Sequence, residues 1–154
     1  MGPMQVSARV DYGTRALVEL AGRGPGLVTS EELAAVQDLP VKFLEGILTQ
    51  LRRAGLVVSR RGAEGGYRLA RPAEEITVAD VFRALEGPIA AVRGTAPEDM
   101  VYAGSAEHLR EVWVATRAAL RTVLENVSLA DVVHGHLPDR VSVLLSEPGA
   151  WERR

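Results

Sequence analysis

A change of periodicity at Gly55 constrains this sequence more than any other feature. Ahead of it, apolar residues recur at intervals of three and four, which predicts a helix over residues 40–54 with one buried face. Beyond it, residues 56–61 and 67–71 alternate apolar with polar side chains, which predicts two short strands around a glycine-rich turn. The buried face of the helix consists of Leu44, Ile47, Leu48 and Leu51. The chain must therefore fold so that this helix is followed directly by a β-hairpin.

The outward face of this helix carries side chains that suit contact with the base edges of DNA. It offers hydrogen-bond donors, one carboxylate and a small residue: Lys42, Glu45, Gly46, Thr49 and Arg53. The turn between the strands begins with Arg61 and Gly62, where an arginine would meet a minor groove next to the major groove that the helix enters. This order of elements is that of the recognition helix and wing of a winged helix-turn-helix domain.

Positive charge is concentrated in residues 39–71, although the whole chain of 154 residues has a formal net charge of −2. This stretch has seven basic side chains and only two acidic ones, Glu45 and Glu64. The basic residues are Lys42, Arg52, Arg53, Arg60, Arg61, Arg68 and Arg71. Such a local excess is typical of a surface that binds phosphates, so the sequence predicts double-stranded DNA as a partner.

Two helices are predicted ahead of the recognition helix. Residues 12–20 have the apolar spacing of an amphipathic helix. Thr29 and Glu32 have the spacing of a capping box, which predicts the start of a short second helix. Residues 38–40 then form the turn of the helix-turn-helix.

A fourth helix is predicted after the hairpin, capped by Thr77 and Asp80 and ended by Gly87. The fold class that follows is mainly α with a small two-stranded β-wing. Within it, residues 4–88 are predicted to form the winged helix-turn-helix domain.

The longest periodic segment, residues 107–127, follows a loop predicted over residues 89–106. Because a winged helix already buries its own core, another amphipathic helix outside it needs a partner surface, and the simplest one is a second copy of the chain. We therefore predict a homodimer. Its dimerisation region, residues 107–134, includes a short final helix capped by Ser128 and Asp131. The predicted interface consists of Leu109, Val112, Trp113, Thr116, Leu120, Val123, Leu124 and Val127.

The two ends of the chain carry less information. Residues 135–154 are rich in glycine, proline and charge, which predicts a loosely ordered tail, with residues 141–145 as a candidate extra strand or docking segment. Residues 1–3 precede a second methionine, Met4, and we set them aside as a cloning remnant or an alternative start.

Several function classes find no support in the sequence. The chain contains no cysteine, which excludes disulfides and thiolate metal sites. No apolar run approaches the roughly 18 residues of a membrane span, and no export signal is recognisable, so we expect a cytoplasmic protein without membrane contact. Nothing resembles a nucleophile elbow, a phosphate loop or a paired-carboxylate site, so no enzymatic activity is predicted.

The sequence resembles the family of bacterial transcription regulators that includes IscR, NsrR and CymR. The resemblance lies in the segments FLEGILTQLRRAGLV, RRGAEGGYRLAR, ITVADVFRALEG and LENVSLADVV. It implies a homodimeric winged-helix transcription factor, usually a repressor, whose long helix forms the dimer interface. We further predict that the dimer places its two recognition helices in successive major grooves of a pseudo-palindromic operator. The resemblance also implies that Lys42, Phe43 and Glu45 read bases and that Arg61 enters the minor groove. Pro40 departs from the small hydroxyl residue often found at the start of the recognition helix.

This chain departs from the family in lacking the cysteine ligands of an iron–sulfur cluster. Relatives that hold a cluster place three cysteines in the loop that corresponds to residues 89–106, where this chain has none. Because such clusters need thiolate ligands, we expect neither an iron–sulfur cluster nor another cofactor. The loop remains the predicted regulatory segment, where a small molecule, a protein or a hard metal ion could act as effector, unless the protein is a constitutive repressor without one.

The residues assigned to DNA contact also have structural interpretations. Arg60 and Arg61 could form a solvated hairpin edge. Glu45 could pair with Lys42 on its own helix rather than accept a hydrogen bond from cytosine. Phe43 could belong to the core, or it could contact a thymine methyl group or the sugar–phosphate backbone. More broadly, a winged helix can bind another protein instead of DNA.

Outside the recognition helix, the aromatic and histidine residues leave further alternatives. Trp113 lies on the apolar stripe, which favours a place in the dimer or interdomain core over a ligand platform. His108 is near Glu107, Glu98 and Asp99 in sequence, but the spacing matches no particular metal geometry, so no metal site is predicted.

Overall fold

The computed structural model of the protein describes residues 5–154, and within them it is mainly helical with one two-stranded antiparallel sheet. The elements are α1 (Ala8–Arg23), α2 (Ser30–Gln37), α3 (Val41–Arg53), β1 (Val57–Arg60), β2 (Gly66–Leu69), α4 (Val78–Glu86), α5 (Leu109–Leu124), α6 (Leu129–His134) and α7 (Asp139–Ser142). The predicted fold class is confirmed. Residues 1–3, set aside above, lie outside the described residues, as does Met4.

The core is formed by the apolar faces of α1 to α4 together with the hairpin. All four predicted residues of the α3 face are buried, each with at most 1% of its surface exposed. Helix α1 can lie close to α4 because it has a glycine at the crossing point. A Cβ atom at Gly13 would come within 2.7 Å of Leu85 Cδ1.

Helix α1 is longer at both ends than the predicted residues 12–20. It starts after Ser7, whose hydroxyl accepts a hydrogen bond from the Val10 amide, and it continues to Arg23. At the N-terminal end, buried Val10 continues the spacing of Gly13 and Leu17, so the apolar pattern starts before residue 12. At the other end, Gly22 and Arg23 are exposed and extend the helix beyond that pattern.

Two of the three predicted capping boxes are confirmed. Reciprocal side-chain and backbone hydrogen bonds join Thr77 with Asp80 and Ser128 with Asp131. At the start of α2, Thr29 accepts from the Glu32 amide, but the Glu32 carboxylate accepts from the Thr29 hydroxyl and pairs with Arg23. The prediction of a full capping box at this position was therefore wrong, because the hydrogen bond from the Thr29 backbone amide to the Glu32 side chain is missing.

The hairpin is held against the rest of the domain by backbone hydrogen bonds to Val28, and a glycine allows the two backbones to approach. Strands β1 and β2 pair in antiparallel register from Val57 with Leu69 to Arg60 with Gly66. The next residue, Tyr67, exchanges two backbone hydrogen bonds with Val28, at 2.7 and 2.9 Å. Gly66 has a φ of +148°, and a Cβ atom there would lie 2.7 Å from the Val28 carbonyl oxygen. Only glycine fits this position without displacing the Val28 backbone.

Replacing Gly66 with alanine is expected to lower the free energy of unfolding by about 1–2 kcal/mol, because it adds both backbone strain and a clash with Val28. Thermal or urea unfolding measures this loss. Gly26→Ala is the matched control, since a Cβ atom at Gly26 meets nothing within 4 Å. Equal stability of the two variants would contradict the close approach of the hairpin to Val28.

The region after α4 differs from prediction in three ways. The long helix, predicted over residues 107–127, is the shorter α5, and α6 packs back onto the first domain, with Leu129 fully buried in the main core. Residues 135–154, predicted to be loose, contain α7 followed by the 3-10 turn Val143–Ser146, with Val141 buried. The extra strand suggested for residues 141–145 was therefore wrong, because this segment is helical. No helix in residues 5–154 combines the length and apolarity needed to cross a bilayer.

Candidate nucleic-acid interface

Helix α3 presents its polar face outward because its apolar face is fully used in the core. The turn before it contains Asp38 in the left-handed conformation, with a φ of 53°, and Pro40 forms the N-cap without a side-chain hydrogen bond. The turn at residues 38–40 was predicted. On the outer side, Lys42, Phe43 and Glu45 are all exposed. These three side chains are thus accessible at the surface of α3.

Basic side chains surround this exposed face. Six of the seven basic residues counted in the sequence are exposed and form no salt bridge within residues 5–154. The exception is Arg71, which lies 3.7 Å from the Asp80 carboxylate. We call the six residues the cationic surface: Lys42, Arg52, Arg53, Arg60, Arg61 and Arg68. Uncompensated positive charge at a protein surface attracts polyanions.

A groove of about 350 Å³ separates the start of α2 from the hairpin. Arg52 and Arg60 line it together with Arg61 and Gly62 of the hairpin tip. Arg52 also reaches across from α3 to β1, where its guanidinium lies 3.5 Å from the Ser59 hydroxyl. The sequence placed Arg52 on the helix and Arg60 and Arg61 on the hairpin. The structure brings all three to one groove.

Phe43 lies at the surface and not in the core. Its side chain is 41% exposed, and its ring packs edge-on against Tyr12 of α1, with ring centroids 5.6 Å apart. The Arg15 guanidinium lies over the Tyr12 ring, 5.4 Å from its centroid. Contact with Tyr12 fixes one edge of Phe43 and leaves the rest exposed for contact with a ligand.

Glu45 has a partner that sequence reasoning missed. Its carboxylate is 3.3 Å from the hydroxyl of Ser30, the first residue of α2, and forms no salt bridge with Lys42 within residues 5–154. Thr49, four residues further along α3, donates its hydroxyl hydrogen bond to the Glu45 carbonyl at 3.0 Å. The Thr49 side chain is therefore committed to its own helix in this structure. No sequence pattern could have linked Ser30 to Glu45, because they are 15 residues apart on different helices.

Helix α5 has an apolar stripe that its own chain does not bury. No residue of α5 is buried, and Val112 is 51% exposed. Trp113 is half-buried, and its indole N–H donates to the Tyr102 hydroxyl at 3.0 Å. Val127, the last residue of the predicted interface, lies beyond the helix and is only 5% exposed. Its carbonyl accepts from the Val78 amide, so Val127 packs within its own chain and offers little surface to a partner.

The loop between α4 and α5 is fastened to α5. Met100 is buried, and the Glu98 carboxylate accepts a hydrogen bond from Arg117. A backbone hydrogen bond and then the Arg117 guanidinium hold the pKa of Glu98 below its usual value. The loop therefore has defined contacts with the helix that carries the apolar stripe.

This loop does not have the ligands of an iron–sulfur cluster. The chain contains no cysteine, and Glu98, one of the few alternative donors, is paired with Arg117. In the described part of the chain, His108 is within salt-bridge distance of Glu107 and Glu111, its neighbours in sequence. Within residues 5–154, no group of three or more histidine, cysteine, aspartate or glutamate side chains is placed to hold a metal ion.

Comparison with known proteins places this geometry among transcription regulators. The Rrf2 family, described as iron-dependent transcriptional regulators, matches residues 6–135. A Mycobacterium tuberculosis protein named as a candidate HTH-type transcriptional regulator is 47% identical over 150 residues, which cover 97% of this chain and 93% of that protein.

Two solved structures have the same fold. CymR of Bacillus subtilis, the global cysteine regulator, superposes with a TM-score of 0.74 at 34% identity and covers 86% of this chain and 98% of its own. IscR of T. potens superposes with a TM-score of 0.70 at 34% identity, covering 86% and 88% respectively. These matches confirm the resemblance to IscR and CymR that the sequence segments indicated.

Proposed function

Because this chain belongs to the Rrf2 family of winged-helix transcriptional regulators, we propose that it acts as a homodimeric repressor that binds a pseudo-palindromic operator. The observation that carries the proposal is the cationic surface, whose six side chains surround α3 and the hairpin and have no acidic partner within residues 5–154. A repressor of this kind prevents transcription by occupying DNA that the polymerase needs.

Each recognition helix is proposed to enter one major groove. Lys42, Phe43 and Glu45 then face base edges, and Arg53 and Thr49 lie further along the same face. At the hairpin, Arg61 and Gly62 reach the flanking minor groove, where a narrow A·T-rich segment attracts arginine. The remaining members of the cationic surface, Arg52, Arg60 and Arg68, are proposed to contact phosphates.

Dimerisation is proposed to bury the apolar stripe of α5 against the same stripe of a second copy. The half-exposed side chains of this helix support the proposal, because an amphipathic helix is stable only when its apolar face is covered. The proposed interface consists of Leu109, Val112, Trp113, Thr116, Leu120, Val123 and Leu124. Val127 is left out because its own chain buries it.

Control is proposed to act without an iron–sulfur cluster. The loop over residues 89–106 contacts α5 through the hydrogen bonds of Glu98 with Arg117 and of Tyr102 with Trp113, so a small molecule or a protein bound there would shift the dimer helix and change the spacing of the two recognition helices. Nothing in the donor groups of this loop favours a metal effector.

Selection from a library of randomised duplexes tests the proposal. We expect enrichment of an inverted repeat whose half-sites are centred about 10 base pairs, or roughly 34 Å, apart. Failure to enrich any sequence, with binding of a protein partner instead, would support a winged helix that serves protein interaction and would refute the proposed function.

Replacing Glu45 with glutamine is expected to change which operator the protein prefers more than how tightly it holds DNA in general. A carboxylate facing DNA is favourable where it accepts from the exocyclic amine of cytosine and unfavourable opposite other acceptors. We expect discrimination at one base pair of each half-site to fall about 5-fold or more, a size within the range of one good base contact. Glu74→Gln is the control, since Glu74 is exposed but lies outside α3 and the hairpin. An unchanged selected site would remove Glu45 from base recognition.

A further inference from the structure

Ser30 is the only buried polar side chain within residues 5–154. It is 8% exposed and occupies the first position of α2, next to the groove between α2 and the hairpin. Buried hydroxyl groups are usually found where they have a hydrogen-bond partner to satisfy them. The hydrogen-bond acceptors of the Ser30 hydroxyl therefore indicate its role.

The Ser30 hydroxyl lies between two carboxylates. Its oxygen is 3.3 Å from Glu31 Oε2 and 3.3 Å from Glu45 Oε1. A serine hydroxyl has one proton, so it can donate to only one ionised carboxylate at a time. Glu31 belongs to α2 itself, whereas Glu45 belongs to the outward face of α3. The hydroxyl thus has one acceptor on its own helix and a second acceptor on the recognition helix.

This arrangement orients Glu45 without trapping it. When Ser30 donates to Glu45, the carboxylate is held at one side of α3 instead of sampling all its rotamers. When Glu45 turns toward a ligand, the same hydroxyl can donate to Glu31, so no buried donor is left unsatisfied.

We propose that Ser30 is a positioning residue for base recognition, which prepares the Glu45 carboxylate to accept a hydrogen bond from the exocyclic amine of a cytosine. The inference rests on the proposed function, since it concerns how the same surface selects its operator. Ordering the glutamate in advance lowers the entropy lost when it contacts the base. It also narrows the set of bases that the carboxylate can reach, so the hydroxyl contributes to sequence preference although it lies behind the DNA-facing side chains.

The test uses the full chain and the operator obtained by selection, with each cytosine of a half-site replaced in turn. Equilibrium affinity is measured for the wild type, Ser30→Ala, Glu45→Gln and the double variant. At the base pair that Glu45→Gln affects, we expect discrimination by Ser30→Ala to fall about 3- to 10-fold. This is the size expected from the entropy of immobilising one side chain. Affinity for non-operator DNA should change less than 2-fold, and the double variant should discriminate no worse than Glu45→Gln alone.

Two further variants separate positioning from a merely structural role. Ser30→Thr retains the hydroxyl and is expected to restore discrimination. Ser59→Ala removes another hydroxyl from the same groove without contact to Glu45, and it should leave that base preference unchanged. Thermal unfolding of every variant shows whether a loss of folded protein contributes to its affinity.

Three outcomes would overturn the inference. Ser30→Ala could keep the wild-type base preference, could weaken binding equally for all DNA sequences, or could add its effect to that of Glu45→Gln. In each case Ser30 would have no role through Glu45. Failure of the wild type to select any operator would instead refute the proposed function, so the two failures are distinguishable.

Discussion

Replacing Val112 with aspartate is expected to convert the proposed dimer into a monomer and to lower operator affinity at least about 100-fold. Val112 is the most exposed large apolar side chain of α5, so the substitution puts a carboxylate into the proposed interface while disturbing the single chain little. Loss of the dimer also removes the advantage of binding two half-sites at once, which contributes factors of about 10² to 10⁴. Sedimentation velocity gives the oligomeric state, and fluorescence anisotropy with labelled operator gives the affinity.

Val6→Asp is the matched control for this experiment. It makes the same chemical change at a valine that is 61% exposed and lies before α1, outside the proposed interface residues of α5. We expect it to remain dimeric with wild-type affinity. A Val112→Asp variant that is still a dimer would show that another surface joins the two copies.

Replacing Arg61 with alanine is expected to weaken operator binding by about 1–3 kcal/mol, or roughly 5- to 150-fold, and to relax preference at the flanking A·T positions. Arg61 stands at the hairpin tip, is exposed and has no acidic partner within residues 5–154, so its full charge is available to the minor groove. Competition binding with operators that differ only in their flanks measures both effects.

Arg140→Ala controls for net charge, because it removes one exposed positive charge from α7 and none from the cationic surface. We expect it to change affinity less than 2-fold. Unchanged binding by Arg61→Ala would mean that the hairpin does not enter the minor groove and that its arginine is only a solvated edge.

Local patterns were sufficient to predict the part of the fold that carries the candidate interface. The apolar residues of α3 recur with helical spacing because they form the buried face of the helix. The turn after Arg61 contains glycines because a Cβ atom at Gly65 would clash with the backbone and Gly62 has a positive φ. The same is true of the capping boxes at Thr77 and Ser128, where two hydrogen bonds fix the helix start within four residues. These features depend on neighbours in sequence, so the sequence can specify them.

Features that depend on distant contacts could not be predicted in this way. The pairing of Ser30 with Glu45 depends on how α2 crosses α3, and the burial of Val127 depends on a backbone hydrogen bond to Val78. Residues 141–145 are mostly apolar and compatible with either a strand or a helix, and in the helical form Val141 is buried where α7 packs against α5. Tertiary contacts decided each of these cases.

The most direct test of the central claim is equilibrium binding of the protein to the selected duplex over a range of salt concentrations, with the stoichiometry measured at the same time. If each protomer neutralises about three phosphates, the logarithm of the association constant should fall linearly with the logarithm of salt, with a slope of about −5, at two chains per duplex. Binding that is independent of salt, or one chain per duplex, would contradict recognition of DNA by a symmetric pair of cationic surfaces.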